Sequence, residues 1–131
     1  QTCALPICWL DLVLLRHSAR LNSLSGLVLT RLDVLSGLDK LKVATGYRFD
    51  GSVIDHIPSN IRDFAKVEPI YQELDGWSEN LRSCRSVSDL PPAAKRYLEY
   101  VEDQTRTPVA ILSIGPDRDE TIVIRPELIW G

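Results

Sequence analysis

Apolar positions along this chain alternate between a helical spacing and short unbroken runs. From Trp9 to Leu24, Leu10, Val13, Leu14, Ala19 and Leu21 recur at helical spacing with Arg16, Arg20 and Asn22 opposite, which predicts an amphipathic helix. Asp11 is its expected N-cap, since a side-chain oxygen there can accept from first-turn amides, and Ser25-Gly26 ends it. Leu27 to Thr30 is a fully apolar run, the signature of a strand in a buried parallel sheet. Val34 to Leu38 allows one helical turn, which Asp33 is placed to cap. Leu41–Phe49, Asp50-Gly51 and Ser52–Ile57 read as strand, turn and returning strand, with Pro58 as the stop.

The second half continues the pattern. Ser59 to Ala65 predicts a short helix capped by Ser59 or Asn60, and Val67 to Leu74 an extended segment broken at Pro69 and running into Gly76-Trp77. Ser78 to Ser88 is polar and loop-like. Ser88-Asp89-Leu90-Pro91-Pro92 begins a helix carried by Ala94, Tyr97, Leu98 and Val101 to about Gln104, with proline tolerated in the first turn. Pro108 opens an apolar strand, Val109–Ile114, that ends at Gly115-Pro116; Asp117–Glu120 is a turn and Thr121–Ile124 a last strand. The expected fold is α/β, a mainly parallel sheet with flanking helices and a β-hairpin excursion. Leu27–Thr30 and Val109–Ser113 each follow a helix and end in a polar loop. In a parallel sheet both loops open on one carboxyl edge, where a single ligand can touch both.

Composition narrows the class. At 131 residues the chain can bury one modest core, and 44% hydrophobic with 25% charged residues argues against disorder. A net charge of −3 without a basic stripe argues against a nucleic-acid partner, and no apolar run approaches the ~20 residues of a membrane span. Cys3, Cys8 and Cys84 form neither a disulfide framework nor a zinc motif, which fits a reduced, cytoplasmic protein. The chain contains no Met, and its opening Gln1–Cys8 is unlike the rest of the sequence. Residues 1–8 read as non-native, adapter-derived sequence and are assigned no function. Residues 9–131 carry the fold.

Chemistry concentrates after the first strand, at Thr30-Arg31-Leu32-Asp33. A carboxylate accepting at both oxygens matches the paired N1–H and exocyclic amine of guanine and rejects adenine, which lacks that pair. A long cation two residues earlier can lay its stem and charge over the purine face. A lone Asp is ordinarily a cap or a surface carboxylate, and a strand-to-turn junction such as Ser113–Arg118 is ordinarily just that. His17 and His56 read as surface or helix-face residues, and Tyr71 and Trp77 as packing residues.

A resemblance reverses the balance. Leu29–Leu38 as a whole, and Ser113-Ile114-Gly115-Pro116-Asp117-Arg118, resemble the two walls of the guanine pocket in adenylosuccinate synthetases. Trp9-Leu10-Asp11, Arg20-Leu21-Asn22, Lys42-Val43, Gly46-Tyr47, Pro69-Ile70-Tyr71 and Gly76-Trp77 extend it to about Arg125. Arg31 departs from the family's usual Lys; it keeps the charge but is planar and bulkier. The resemblance implies the C-terminal portion of a P-loop-NTPase-like fold. It implies guanine contacts from Arg31, Leu32, Asp33, Ser113, Ile114 and Gly115, supported by Thr30 and Pro116. It also implies a carbon–nitrogen ligase that uses GTP and magnesium to join IMP and L-aspartate as a homodimer. The family's phosphate loop, catalytic residues and magnesium ligands lie upstream of this segment, so the isolated chain is expected to be inactive. The alternative reading is a non-catalytic guanine-nucleotide-binding or interaction module.

Overall fold

Asp11 ties the start of the chain to its centre. In the computed structural model, which describes residues 9–131, it caps α1 (Leu12–Leu21), its Oδ1 accepting from the amides of Val13 at 2.9 Å and Leu14 at 3.0 Å. Its Oδ2 accepts from the buried Tyr47 hydroxyl at 2.6 Å. The cap therefore stands where the sequence predicts it, but the face of the helix differs. Leu12, Val13 and Ala19 are buried, whereas Leu14 and Leu21 face solvent. Leu10 is not helical; it pairs with Val43 in the two-residue strand β1 (Leu10–Asp11). The helix ends at Asn22, earlier than Ser25-Gly26, because Ser23 turns into the left-handed region at φ 48°. Asp11→Ala removes the cap and leaves the Tyr47 hydroxyl without its acceptor. We expect a loss of about 2 kcal/mol in urea unfolding, the sum of a typical cap and one hydrogen bond to a charged group.

Among the described residues, seven strands form two sheets. In the first, the 12-residue β3 (Leu38–Phe49) is central, parallel to β1 and antiparallel to β4 (Ser52–Ile54) and β5 (Glu68–Trp77). Asp50 and Gly51 both have positive φ, 48° and 77°, the backbone of the tight hairpin turn that an Asp-Gly pair signals. Asn60 caps the short α2 (Ile61–Phe64) by accepting from the Asp63 amide at 2.8 Å. Pro69 does not break its segment. It lies opposite Tyr47 in a continuous β5, which pairs with β3 alone, and an edge strand tolerates a missing N–H.

The second sheet has the order β2 (Leu27–Leu29), β6 (Val109–Ser113), β7 (Thr121–Val123); β2 and β6 run parallel, and β7 is antiparallel. The α/β class holds, with parallel pairing confined to β1/β3 and β2/β6 and the rest antiparallel. As an edge strand β2 buries Leu27 but leaves Val28 at 58% exposure, so its apolar run is covered on one face only.

Helix α3 (Pro92–Thr105) packs against β5 and α1, and Leu12, Val43, Trp77, Leu98, Val101, Leu112 and Ile114 belong to one core. Leu81 and Cys84 join it from the polar 78–88 loop, pinning that loop to the core. A short terminal helix, α4 (Glu127–Trp130), is not signalled by periodicity. The segment that reads as adapter-derived, residues 1–8, lies outside the described residues.

Candidate functional site

The register of β2 on β6 decides the geometry. Leu29 stands opposite Leu112, so Thr30-Arg31 and Ser113-Ile114 leave the sheet side by side at one carboxyl edge. Each loop is anchored by an apolar residue: Leu32 is 3% exposed and Ile114 fully buried. Both side chains belong to the core, so any ligand contact from Leu32 or Ile114 is made by the main chain. Thr30 and Pro116 are exposed beside them.

Arg31 adopts the left-handed conformation, φ 58° and ψ 44°, immediately before a 3-10 turn at Leu32–Leu35. Asp33 lies inside that turn and makes no capping bond, so the structural role open to it in the sequence is not realised. Its carboxylate instead accepts from Arg31 at both oxygens, Nε to Oδ1 and Nη2 to Oδ2, each at 3.0 Å. The Arg31 bond holds the Asp33 carboxyl below its usual range against the opposing effect of burial, so it is ionised at neutral pH. Two parallel acceptors on a carboxylate recognise any planar pair of N–H donors. The guanidinium supplies such a pair within the chain, and guanine presents one of the same kind. Because the folded value is lowered, this ionisation favours the folded chain above the unfolded carboxylate range, and the contribution is lost as pH falls through the folded value.

Asp33 borders a polar cavity of about 310 Å³ shared with Ser36, Gly37, Ser78, Asn80 and Arg82. Thr30 and Arg31 border a separate, more apolar cavity of about 360 Å³ that also includes Trp9, Leu35 and Tyr97. Trp77 is buried edge-on against Tyr97 and donates its indole N–H to Ser36 Oγ at 3.0 Å, which orients that hydroxyl. Ser113 Oγ donates to the Gly115 carbonyl at 2.8 Å, leaving its lone pairs to accept. Ser36 falls within the Leu29–Leu38 run, but the sequence gives no sign of Ser78, Asn80 and Arg82. Nothing local marks them, and they reach Asp33 only because Leu81 and Trp77 fix their segments.

Other candidate chemistry stays apart from this edge. His56 is exposed beside Asp55, and Cys84 is buried with its thiol pushed up first by burial and then by the charge of Asp89, the opposite of nucleophile activation. Among the described residues no three His, Cys, Asp or Glu side chains gather as a metal site, and no helix is long and apolar enough to cross a membrane.

A family model described as adenylosuccinate synthetase matches residues 6–122. The adenylosuccinate synthetase of Clostridium novyi (strain NT) is 49% identical over 116 residues, covering 88% of this chain and 27% of the relative. That of Clostridium kluyveri is 46% identical over 114 residues, again covering 27% of the relative. Among solved structures, the fully ligated adenylosuccinate synthetase from Plasmodium falciparum matches with a TM-score of 0.82 at 31% identity, over 88% of this chain and 28% of that one. The chain thus spans little more than a quarter of the length of the relatives it matches.

Proposed function

The chain belongs to the adenylosuccinate synthetase family, and from that premise we propose that residues 9–131 form the guanine-reading part of the GTP site in such an enzyme. The intact enzyme joins IMP to L-aspartate with consumption of GTP, giving adenylosuccinate, GDP and phosphate. In this reading Asp33 accepts from guanine N1–H and the exocyclic amine. Arg31 releases the carboxylate and turns its planar cation over the base. Ser113, Gly115 and the main chain of Ile114 form the facing wall, and Thr30 and Pro116 border the pocket. The observation that carries the reading is the pairing of Leu29 with Leu112, which sets the two walls at one sheet edge.

The same reading makes the intact enzyme a cytoplasmic homodimer that uses magnesium at the phosphates. Among the described residues no three His, Cys, Asp or Glu side chains gather as ligands for that ion. Their part is to bind and orient the base.

Two measurements test the proposal. In the 131-residue chain, GDP should perturb the amides of Leu32–Asp33 and Ser113–Gly115 with a roughly millimolar Kd, as suits a ligand held mainly by its base. ADP at the same concentrations should leave them unmoved. Equal response to both nucleotides, or none to GDP, would remove the assignment. The chain has no Gly-rich phosphate loop, so we also expect no adenylosuccinate from GTP, IMP and L-aspartate in a spectrophotometric assay. Turnover by the purified chain would overturn that expectation.

A further inference from the structure

We propose that Glu120, gripped by Arg82, is a positioning residue that sets the main chain of Ser113–Pro116 for a guanine base; the role rests on the guanine-reading proposal above. Glu120 ends a 3-10 turn at Arg118–Glu120 and is only 7% exposed, an unusual place for a carboxylate unless it is paired. It holds the wall at three points. Its carbonyl accepts from the Ile114 amide at 2.8 Å, its Oε2 accepts from the Asp117 amide at 3.1 Å, and its Oε1 accepts from Arg82 Nε.

The carboxylate also lies directly against Gly115. A Cβ at that position would fall on Oε2 and Cδ of Glu120. From sequence alone, a glycine here suggests close approach of a ligand. The structure supplies a reason inside the chain: only glycine lets the carboxylate sit flat on the wall.

Arg82 is itself fixed. Leu81 beside it is fully buried, the Arg82 amide donates to Asn80 Oδ1 at 3.0 Å, and the Arg82 carbonyl accepts from Arg85 Nη1 at 2.7 Å. Its Nη2 reaches Asp117 Oδ2 at 3.4 Å, and the same residue lines the cavity that Asp33 borders. Arg82 therefore borders the cavity beside Asp33 while its guanidinium grips the second wall through Glu120 and Asp117 and offsets the cost of keeping the Glu120 charge out of water.

Glu120→Gln keeps the size but removes the charge and turns an acceptor into a donor facing N–H groups. The test compares the full chain with Glu120→Gln, Arg82→Gln and the double variant. It reads amide hydrogen exchange, GDP titration and an ADP control. We expect each single variant to speed exchange at Asp117 about ten-fold and to raise the GDP Kd about ten-fold, the loss of one charge-assisted hydrogen bond. The preference for GDP over ADP should persist, because Asp33 is untouched. Protection of Val101 and Leu112 should not change, and the double variant should be no worse than either single one.

Unchanged Asp117 exchange and GDP affinity would overturn the proposal. So would a uniform loss of protection through β6 and β7, which would make Glu120 a general stabiliser. If the unaltered chain does not bind GDP, the guanine reading fails, and Asp117 exchange alone then decides whether Arg82 and Glu120 hold the wall.

Discussion

Asp33→Asn is expected to cut kcat/KM for GTP by roughly 10²–10⁴-fold and to raise use of the xanthine nucleotide. The assay needs a complete enzyme, such as the Clostridium novyi synthetase with residues 9–131 of this chain grafted over its matching segment. The carboxylate presents two acceptors to two donors. An amide presents one of each, so it opposes the exocyclic amine of guanine with its own N–H₂ and leaves buried donors unpaired. Xanthine carries a carbonyl where guanine carries that amine, and its edge fits Asn. The stability cost should be under about 1 kcal/mol, because the Arg31–Asp33 pair is half-exposed on the Arg side. Steady-state rates with GTP and XTP check the claim. Unaltered GTP use would show that Asp33 does not read the base. A loss with GTP and no gain with XTP would point to damage other than lost readout.

The largest expected stability effect lies in the first sheet, at Gly76→Ala. A Cβ on Gly76 would fall on the carbonyl oxygen of Leu38 and lie 2.8 Å from its carbon. The obstacle is main chain, so no rotamer relieves it, and β3 and β5 must part. We expect a loss of at least about 3 kcal/mol in guanidinium unfolding, the upper range for overpacking. Gly46→Ala is the internal comparison. Its Cβ would lie 3.1 Å from the Ile54 carbonyl oxygen, so the neighbouring short strand can give way at a cost of about 1 kcal/mol. Equal effects at the two positions would show that the β3–β5 contact is not the tight one. The consequence reaches the site, because the Gly37 amide donates to the Trp77 carbonyl at 2.8 Å and Trp77 holds Ser36. Separating Leu38 from Trp77 would shift one side of the cavity beside Asp33.

Local rules are legible where one residue decides the backbone. Asp11 as cap, Asp50-Gly51 as hairpin turn and Pro91-Pro92 at the start of α3 stand in the structure as the sequence predicts, and of the two caps open to α2 the structure uses Asn60. Each depends on a side chain acting within a few residues of itself. The departures share a different cause. Leu14 and Leu21 fit an apolar helical face but stay exposed, and Leu10 is captured by β3 before the helix begins. Pro69 reads as a break in the sequence because its tolerance depends on which side of β5 is unpaired. The 78–88 loop reads as polar because polar residues dominate it, yet Leu81 and Cys84 are buried and Val87 packs against the core.

The class of fold, the two strand–loop junctions and the residue types at them follow from local sequence. A cation and a carboxylate two residues apart after an apolar strand, and a Ser-x-Gly-Pro turn after another, are short-range patterns that need no neighbour to be seen. How the junctions meet follows from tertiary packing. The register of Leu29 on Leu112 and the reach of Arg82 from a distant loop to Glu120 depend on pairing and packing between segments far apart in the chain. Such contacts are set by the shape of the shared core, which no local pattern encodes.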